Sequence, residues 1–197
     1  RIVTIIHLIR HGTHDLVSRR LCGRAPGVGL AEAGKRQARA LARAIPNPSR
    51  VVTSPVERAR QTAAVIASAH ARPLEEDEAL NEIDFGAWTG RDFSELDPLP
   101  QWRRWNARRD QARPPGGESM LEVQIRLSRW LETQSTPGGG TVAAVSHADV
   151  IKSVVALTLG LSMYAHDRFE VFPGSVTTIS ATSDGLTLLR LNEVPHG

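Results

Sequence analysis

Two histidines in this chain follow directly on apolar, β-branched runs. Thr4-Ile5-Ile6-His7-Leu8-Ile9 leads into Arg10-His11-Gly12, and Thr141-Val142-Ala143-Ala144-Val145 leads into Ser146-His147-Ala148. Continuous apolar runs of this length are the pattern of strands covered on both faces. The carboxyl end of such a strand is where open α/β sheets bind their ligands. Arg10 beside His11 suits an anion, because a guanidinium fixes charge while an imidazole attacks or shuttles protons. His11 is therefore the expected nucleophile of a phosphoryl transfer. Two central strands each delivering a histidine argue against coincidence, so His147 is expected in the same site. His7, His70 and His166 read instead as structural histidines.

Two further stretches carry chemistry. Arg58 follows Ser54-Pro55-Val56-Glu57, which has the form of a helix start: Ser54 as cap, Pro55 at the first helical position and Glu57 closing a capping box. An arginine there, close to a helix N-terminus at a strand end, is well placed to meet a phosphate. Glu82 lies among Leu80, Ile83, Phe85 and Trp88 in a loop punctuated by Gly86 and Gly90. Apolar surroundings raise a carboxyl pKa, which a general acid requires. The local pattern does not separate Glu82 from Asp84 in that role.

Elements that position these groups can be read around them. Ala38, Leu41, Ala42 and Ile45 repeat at helical spacing over residues 31–45, and Pro46 and Pro48 end that helix. A short strand, 50–53, precedes the helix expected at 55–70, giving a parallel strand–helix–strand crossover. Ser119-Met120-Leu121-Glu122 is a second capping box. It opens a helix to about Thr133 that buries Met120, Val123, Leu127 and Leu131. Pro137 to Gly140 reads as a turn, and a helix runs from the second histidine strand to Gly160. Strands are expected at 169–172, 176–179 and 186–191, with a hairpin turn at Ser183-Asp184-Gly185. The acidic run Glu75 to Glu78 reads as a solvated edge. The loop 13–29 has the length and glycine content of an active-site loop. Arg19 and Arg20 are assigned there to a solvated face, and Arg24 is kept as a candidate contact.

Composition bounds the class. At 197 residues, 41% hydrophobic and 23% charged, the chain suits a single α/β domain with one sizeable core. A net charge of +3 favours anionic ligands without the clustered basicity of a nucleic-acid binder. Cys22 is the only cysteine, which excludes an intrachain disulfide and points to a reducing, cytoplasmic setting. Neither a membrane-length apolar stretch nor a secretory signal pattern is present in the sequence. His11 and His14 lack the carboxylates that would complete a metal site, so neither metal nor cofactor is expected. Residues 91–117 change composition, with Trp102-Arg103-Arg104-Trp105 and Arg108-Arg109. They read as a small, partly helical lid. Trp102, Arg103, Trp105 and Arg108 are its candidates for substrate selection, with arginines there favouring a second anionic group on the substrate.

The ordered set Arg10-His11-Gly12, Ser54-Pro55 with Arg58-Ala59 and Gln61-Thr62-Ala63, Glu82 with Phe85-Gly86, Trp88 and Gly90, Gly117-Glu118-Ser119 and Ser146-His147-Ala148 resembles the histidine phosphatase superfamily, phosphoglycerate mutase-like branch. The resemblance spans nearly the whole chain. It implies a three-layer α/β/α sandwich with a mostly parallel central sheet, a phosphohistidine on His11 and a phosphate pocket of Arg10, Arg58 and His147. It also selects Glu82 over Asp84 as the acid. Gly12, Thr13, His14, Arg24, Ala148 and Arg108 join these as candidate substrate contacts. Departures fall in one place: family members often carry Thr and Asn where this chain has His14 and Val17, which exchanges a hydroxyl for an imidazole. Ala31 stands where a capping Thr or Ser is common. The expected activity is release of phosphate from a small phosphorylated metabolite, by a monomer or homodimer. The alternatives are a phosphoglycerate mutase and a non-catalytic phosphate-binding module.

Overall fold

The computed structural model describes residues 2–134 and 139–195. Of the turn expected at 137–140, Pro137 and Gly138 lie outside the described residues. Among the described residues six strands form one sheet: β1 (Thr4–Arg10), β2 (Arg50–Thr53), β3 (Leu74–Glu76), β4 (Gly140–Ser146), β5 (Val176–Thr182) and β6 (Gly185–Glu193). Their order is β3-β2-β4-β1-β5-β6. The first four are mutually parallel, and β5 and β6 add antiparallel neighbours beyond β1. The helices are α1 (Glu32–Ala44), α2 (Glu57–Ala69), α3 (Phe93–Leu96), α4 (Pro100–Ala107), α5 (Met120–Gln134) and α6 (Ala148–Leu159).

Side chains alternate across a strand with period two, and this sorts the strands' apolar residues into two layers. Ile6, Leu8, Val52, Val142 and Ala144 share a buried cluster with Val123 and Leu127 of α5 and Val150 and Val154 of α6. Ile9, Val51, Ala143 and Val145 pack on the opposite face against Leu41 of α1 and Ala59, Ala63 and Ile66 of α2. A helical layer on each face makes the three-layer α/β/α sandwich. From β1 the chain crosses over β4 to β2, and from β4 it crosses over β1 to β5. Connections that leave two neighbouring strands in opposite directions open a crevice at their carboxyl ends. His11 and His147 both stand there.

The lid does not form a core of its own. Leu96, Trp102 and Trp105 join the same buried cluster as Phe85, Trp88, Met120 and Leu127. Trp88 packs edge-on against Trp102, with ring centres 5.4 Å apart. The capping box at α5 forms as expected: Ser119 N–H donates to Glu122 at 2.7 Å, and Glu122 N–H donates to Ser119 Oγ at 3.3 Å. Ala31 caps α1 with no side-chain bond.

Two local expectations are corrected. Phe169 to Phe172 is not a strand. The free edge of β1 is taken by β5, and the backbone just before β5 is drawn onto the end of β1 instead. Arg10 donates to the Val171 carbonyl at 2.7 Å, and Gly174 N–H donates to the carbonyls of Arg10 and His11. The acidic run Glu75 to Glu78 lies at a solvated sheet edge as expected, and its first residues continue the three-residue edge strand β3 from Leu74. Ser54 is not the cap of α2, which begins at Glu57 without a side-chain cap. Among the described residues no helix is long and apolar enough to cross a membrane.

Candidate active site

Strand register assembles the site. Arg10 of β1 pairs with Ser146 of β4, so the next residues, His11 and His147, leave adjacent strands at one level. Their ring centres lie 5.1 Å apart. Thr53 of β2 pairs with Val145 of β4, and Ser54 N–H then donates to the Val145 carbonyl at 2.9 Å. His11, His147 and Ser54 thus come from the ends of three neighbouring parallel strands. Arg58, in the first turn of α2, reaches in from beside them and is 2% exposed.

The hydrogen bonds fix both histidine tautomers. A carbonyl can only accept, so His11 Nδ1–H donates to the Gly12 carbonyl at 2.8 Å. A guanidinium can only donate, so Arg58 Nε–H donates to His11 Nε2 at 3.0 Å. Both bonds require the same ring form, with the lone pair on Nε2. Burial, then the charges of Arg58 and Arg10, hold the His11 pKa well below its ordinary 6.5, so the ring is neutral. In His147, Nδ1 faces Arg58 Nη2 at 3.4 Å, which leaves Nε2–H to donate to Ser54 Oγ at 2.8 Å. Ser54 also accepts from Val56 N–H at 3.2 Å. Burial and Arg58 likewise push the His147 pKa well below 6.5.

Glu82 lies beyond β3, on a loop held from several sides. Ser146 Oγ–H donates to the Leu80 carbonyl at 2.6 Å, Arg126 to the Asn81 carbonyl at 2.8 Å and Arg24 to the Glu82 carbonyl at 2.6 Å. The Glu82 carboxyl is 3.5 Å from His147 Nδ1 and 3.8 Å from Arg58 Nη2, with its side chain 12% exposed. Burial first, then the charge of Asp149, raises its pKa from 4.5 to about 7, against the pull of Arg58 and Arg10.

Arg10, His11, His14, Arg58, Glu82, Ala148 and Asp149 line one cavity of about 310 Å³. Two of its donors, Arg10 Nε and Arg58 Nη1, are buried and have no acceptor among the described residues. Buried polar atoms are nearly always paired, so these are donors awaiting an acceptor. His14 is buried beside them, its ring 5.8 Å from that of His11 and its Nδ1 also unpartnered. Burial and the nearby arginines lower its pKa to about 4. A neutral nitrogen nucleophile, two guanidinium donors and a carboxyl titrating near neutrality are the groups that transfer of an anionic phosphoryl group calls for.

Other expected contacts lie elsewhere. Gly12 serves by its small size: a Cβ there would stand 2.6 Å from the Gly34 carbonyl of α1. Thr13 is away from the cavity, its N–H donating to Gln37 at 2.8 Å. Arg24 supports the Glu82 loop and pairs with Glu118 at 3.2 Å rather than facing His11. Arg108 turns out to Asp110 at 3.0 Å, and Arg103 bonds the carbonyls of Asp97 and Pro98. Trp102 and Trp105 are buried in the core. The lid therefore offers none of these four side chains to the cavity. Sequence reasoning missed Ser54 as the partner of His147, and it missed Asp149 and Phe93 on the cavity wall. Among the described residues, no group of three or more His, Cys, Asp or Glu side chains is placed to hold a metal.

Comparison with known proteins gives the family. Residues 6–194 match the model of the histidine phosphatase superfamily (branch 1), and the chain belongs to that family. It is 34% identical over 195 residues to the Bifunctional protein Rv2228c of Mycobacterium tuberculosis, covering 95% of this chain but only about half, 53%, of that relative. It is 31% identical over 172 residues to a Yersinia pestis protein named "Probable phosphoglycerate mutase GpmB", covering 84% and 80% of the two chains. Among solved structures, the α-ribazole phosphatase of Shigella flexneri superimposes with a TM-score of 0.84 at 27% identity, covering 98% of each chain.

Proposed function

We propose that this chain hydrolyses phosphomonoesters through a phosphohistidine on His11, with no metal required. The observation that carries the reading is the His11 Nε2 lone pair set beside two buried guanidinium donors that lack an acceptor among the described residues. Phosphate oxygens satisfy Arg10 Nε and Arg58 Nη1, and Arg58 Nε exchanges His11 Nε2 for a phosphate oxygen, which frees the lone pair. Nε2 then attacks phosphorus while the bond to the ester oxygen breaks, and Glu82 gives its proton to the departing alkoxide. The Nδ1–H bond to Gly12 holds the ring through this step. Water next attacks the phosphohistidine. Glu82, now a carboxylate, takes its proton, the phosphorus–nitrogen bond breaks and phosphate leaves with His11 again neutral. His147 and the two arginines stabilise charge on the transferring group, where most of the catalysis in such reactions resides.

The test is phosphate release from p-nitrophenyl phosphate and 3-phosphoglycerate in EDTA, by wild type and His11→Ala. Release by wild type alone, with label from a phosphate donor trapped on His11, is expected. Isomerisation of 3-phosphoglycerate primed with the bisphosphate, with little release, would instead make the chain a mutase, the activity for which the Yersinia relative is named. Folded protein with neither turnover nor label would leave a phosphate-binding module.

A further inference from the structure

The substrate's alcohol portion is constrained by what surrounds the catalytic groups. Beyond them, Val17, Leu21, Cys22, Phe85 and Phe93 supply the apolar part of the cavity wall, with Ser18, Arg20 and Gly23 beside them. The loop carrying the first three is laced to the start of the lid: Leu21 N–H donates to the Arg91 carbonyl at 2.9 Å and Phe93 N–H to the Arg19 carbonyl at 2.9 Å. The apolar roof is thus a built surface rather than a loose flap.

The charges are matched as well. Arg10 and Arg58 together balance one phosphate dianion. Arg20, the third cation on the wall, is held by Asp92 at 2.7 Å. Arg109 approaches from the lid but is taken by Asp149, lies over Trp105 at 5.1 Å and donates to Asn106. Arg24 and Arg108 are engaged elsewhere. Among the described residues, every other cation on or near the wall is already paired, and Asp149 keeps Arg109 from a second anion. Leaving an anion unpaired in a partly buried site is costly.

Resting on the hydrolase reading above, we propose that the site selects monoesters whose alcohol is uncharged and apolar, about one ring in size. Phe93 grips that ring, and Asp149, by holding Arg109, denies a second negative charge its partner. Esters carrying a carboxylate or another phosphate are disfavoured, opposite to what the arginine-rich lid sequence suggests. The volume of about 310 Å³ lies at the lower end of the roughly 300–1,000 Å³ of small-molecule sites, room for a phosphate and one ring.

The experiment compares kcat/KM for propyl phosphate, 3-phenylpropyl phosphate and 3-phosphoglycerate, all esters of aliphatic alcohols, so that ring and charge rather than an activated leaving group decide. Wild type should favour the phenylpropyl ester over the propyl ester by about tenfold or more, as burial of a ring allows. It should cleave 3-phosphoglycerate less well than propyl phosphate. Phe93→Ala should remove most of the phenylpropyl advantage and Phe93→Leu restore part of it. Asp149→Asn should raise 3-phosphoglycerate relative to propyl phosphate. Turnover of 3-phosphoglycerate equal to or above that of the phenylpropyl ester overturns the proposal while leaving the hydrolase reading intact. So does a phenylpropyl advantage unmoved in Phe93→Ala, and an unmoved ratio in Asp149→Asn overturns the part given to that residue. Hydrolysis of none of the three, with no label on His11, overturns both.

Discussion

Replacing Glu82 with Gln keeps the shape of the side chain and removes its proton. Two consequences follow from the same burial. The first is on stability. Moving a carboxyl from 4.5 to about 7 corresponds, at roughly 1.4 kcal/mol per pH unit, to about 3 kcal/mol. The folded pKa is raised, so the group's contribution to stability is fully present below about pH 4.5 and is lost as pH rises through about 7. Glutamine escapes that loss. Measured by urea unfolding, Glu82→Gln should therefore gain on wild type by about 3 kcal/mol between pH 4.5 and pH 8. The second consequence is on catalysis. Loss of a general acid costs on the order of 10²–10⁴ in rate where the leaving group needs a proton, and much less for p-nitrophenolate. The wild-type rate on an alkyl phosphate should fall as pH rises past about 7, where the acid form disappears, and the variant should lose that limb. A stability difference between variant and wild type that stays constant with pH would refute the raised pKa. Equal losses on alkyl and p-nitrophenyl esters would refute the acid role.

Two further outcomes test the groups that hold the site. Ser54→Ala leaves His147 Nε2–H buried without its acceptor, so it should cost about 1–3 kcal/mol by urea unfolding and lower kcat. An unchanged midpoint and rate would remove Ser54 from the site. Gly34→Ala places a Cβ 2.1 Å from the Thr13 carbonyl, which must move the loop that follows His11. Overpacking of about 1–3 kcal/mol and a larger loss of kcat than of stability are expected, and unimpaired turnover would show that this loop adapts freely.

The catalytic candidates were legible because their signal is local. An apolar run ending in Arg-His-Gly and another ending in Ser-His-Ala announce strands with chemistry at their ends. Register then brings the two histidines together with no further information than Arg10 facing Ser146. The capping box at Ser119 was equally readable, since both partners lie within one turn. Ser54 shows where local reading fails. Ser-Pro-Val-Glu fits a capping box, yet the hydroxyl is claimed by His147, 93 residues away, because β2 and β4 are neighbours. Phe169 to Phe172 alternates like a strand, but the edge of β1 beside it is taken by β5. The lid arginines announced an anion-binding surface, and the carboxylates of Asp110 and Asp149 and the backbone carbonyls of Asp97 and Pro98 absorbed them.

By itself, then, the sequence determined the layered fold and nominated Arg10, His11, Arg58 and His147, since periodicity, strand ends and short motifs are properties of neighbouring residues, and the family resemblance of its ordered motifs chose Glu82 over Asp84. Tertiary structure alone decided the His11 and His147 tautomers, the raised pKa of Glu82 and which cations remain free. Those depend on burial and on partners brought together from distant parts of the chain, and in a partly buried cavity a charge acts only as far as its nearest countercharge leaves it unpaired.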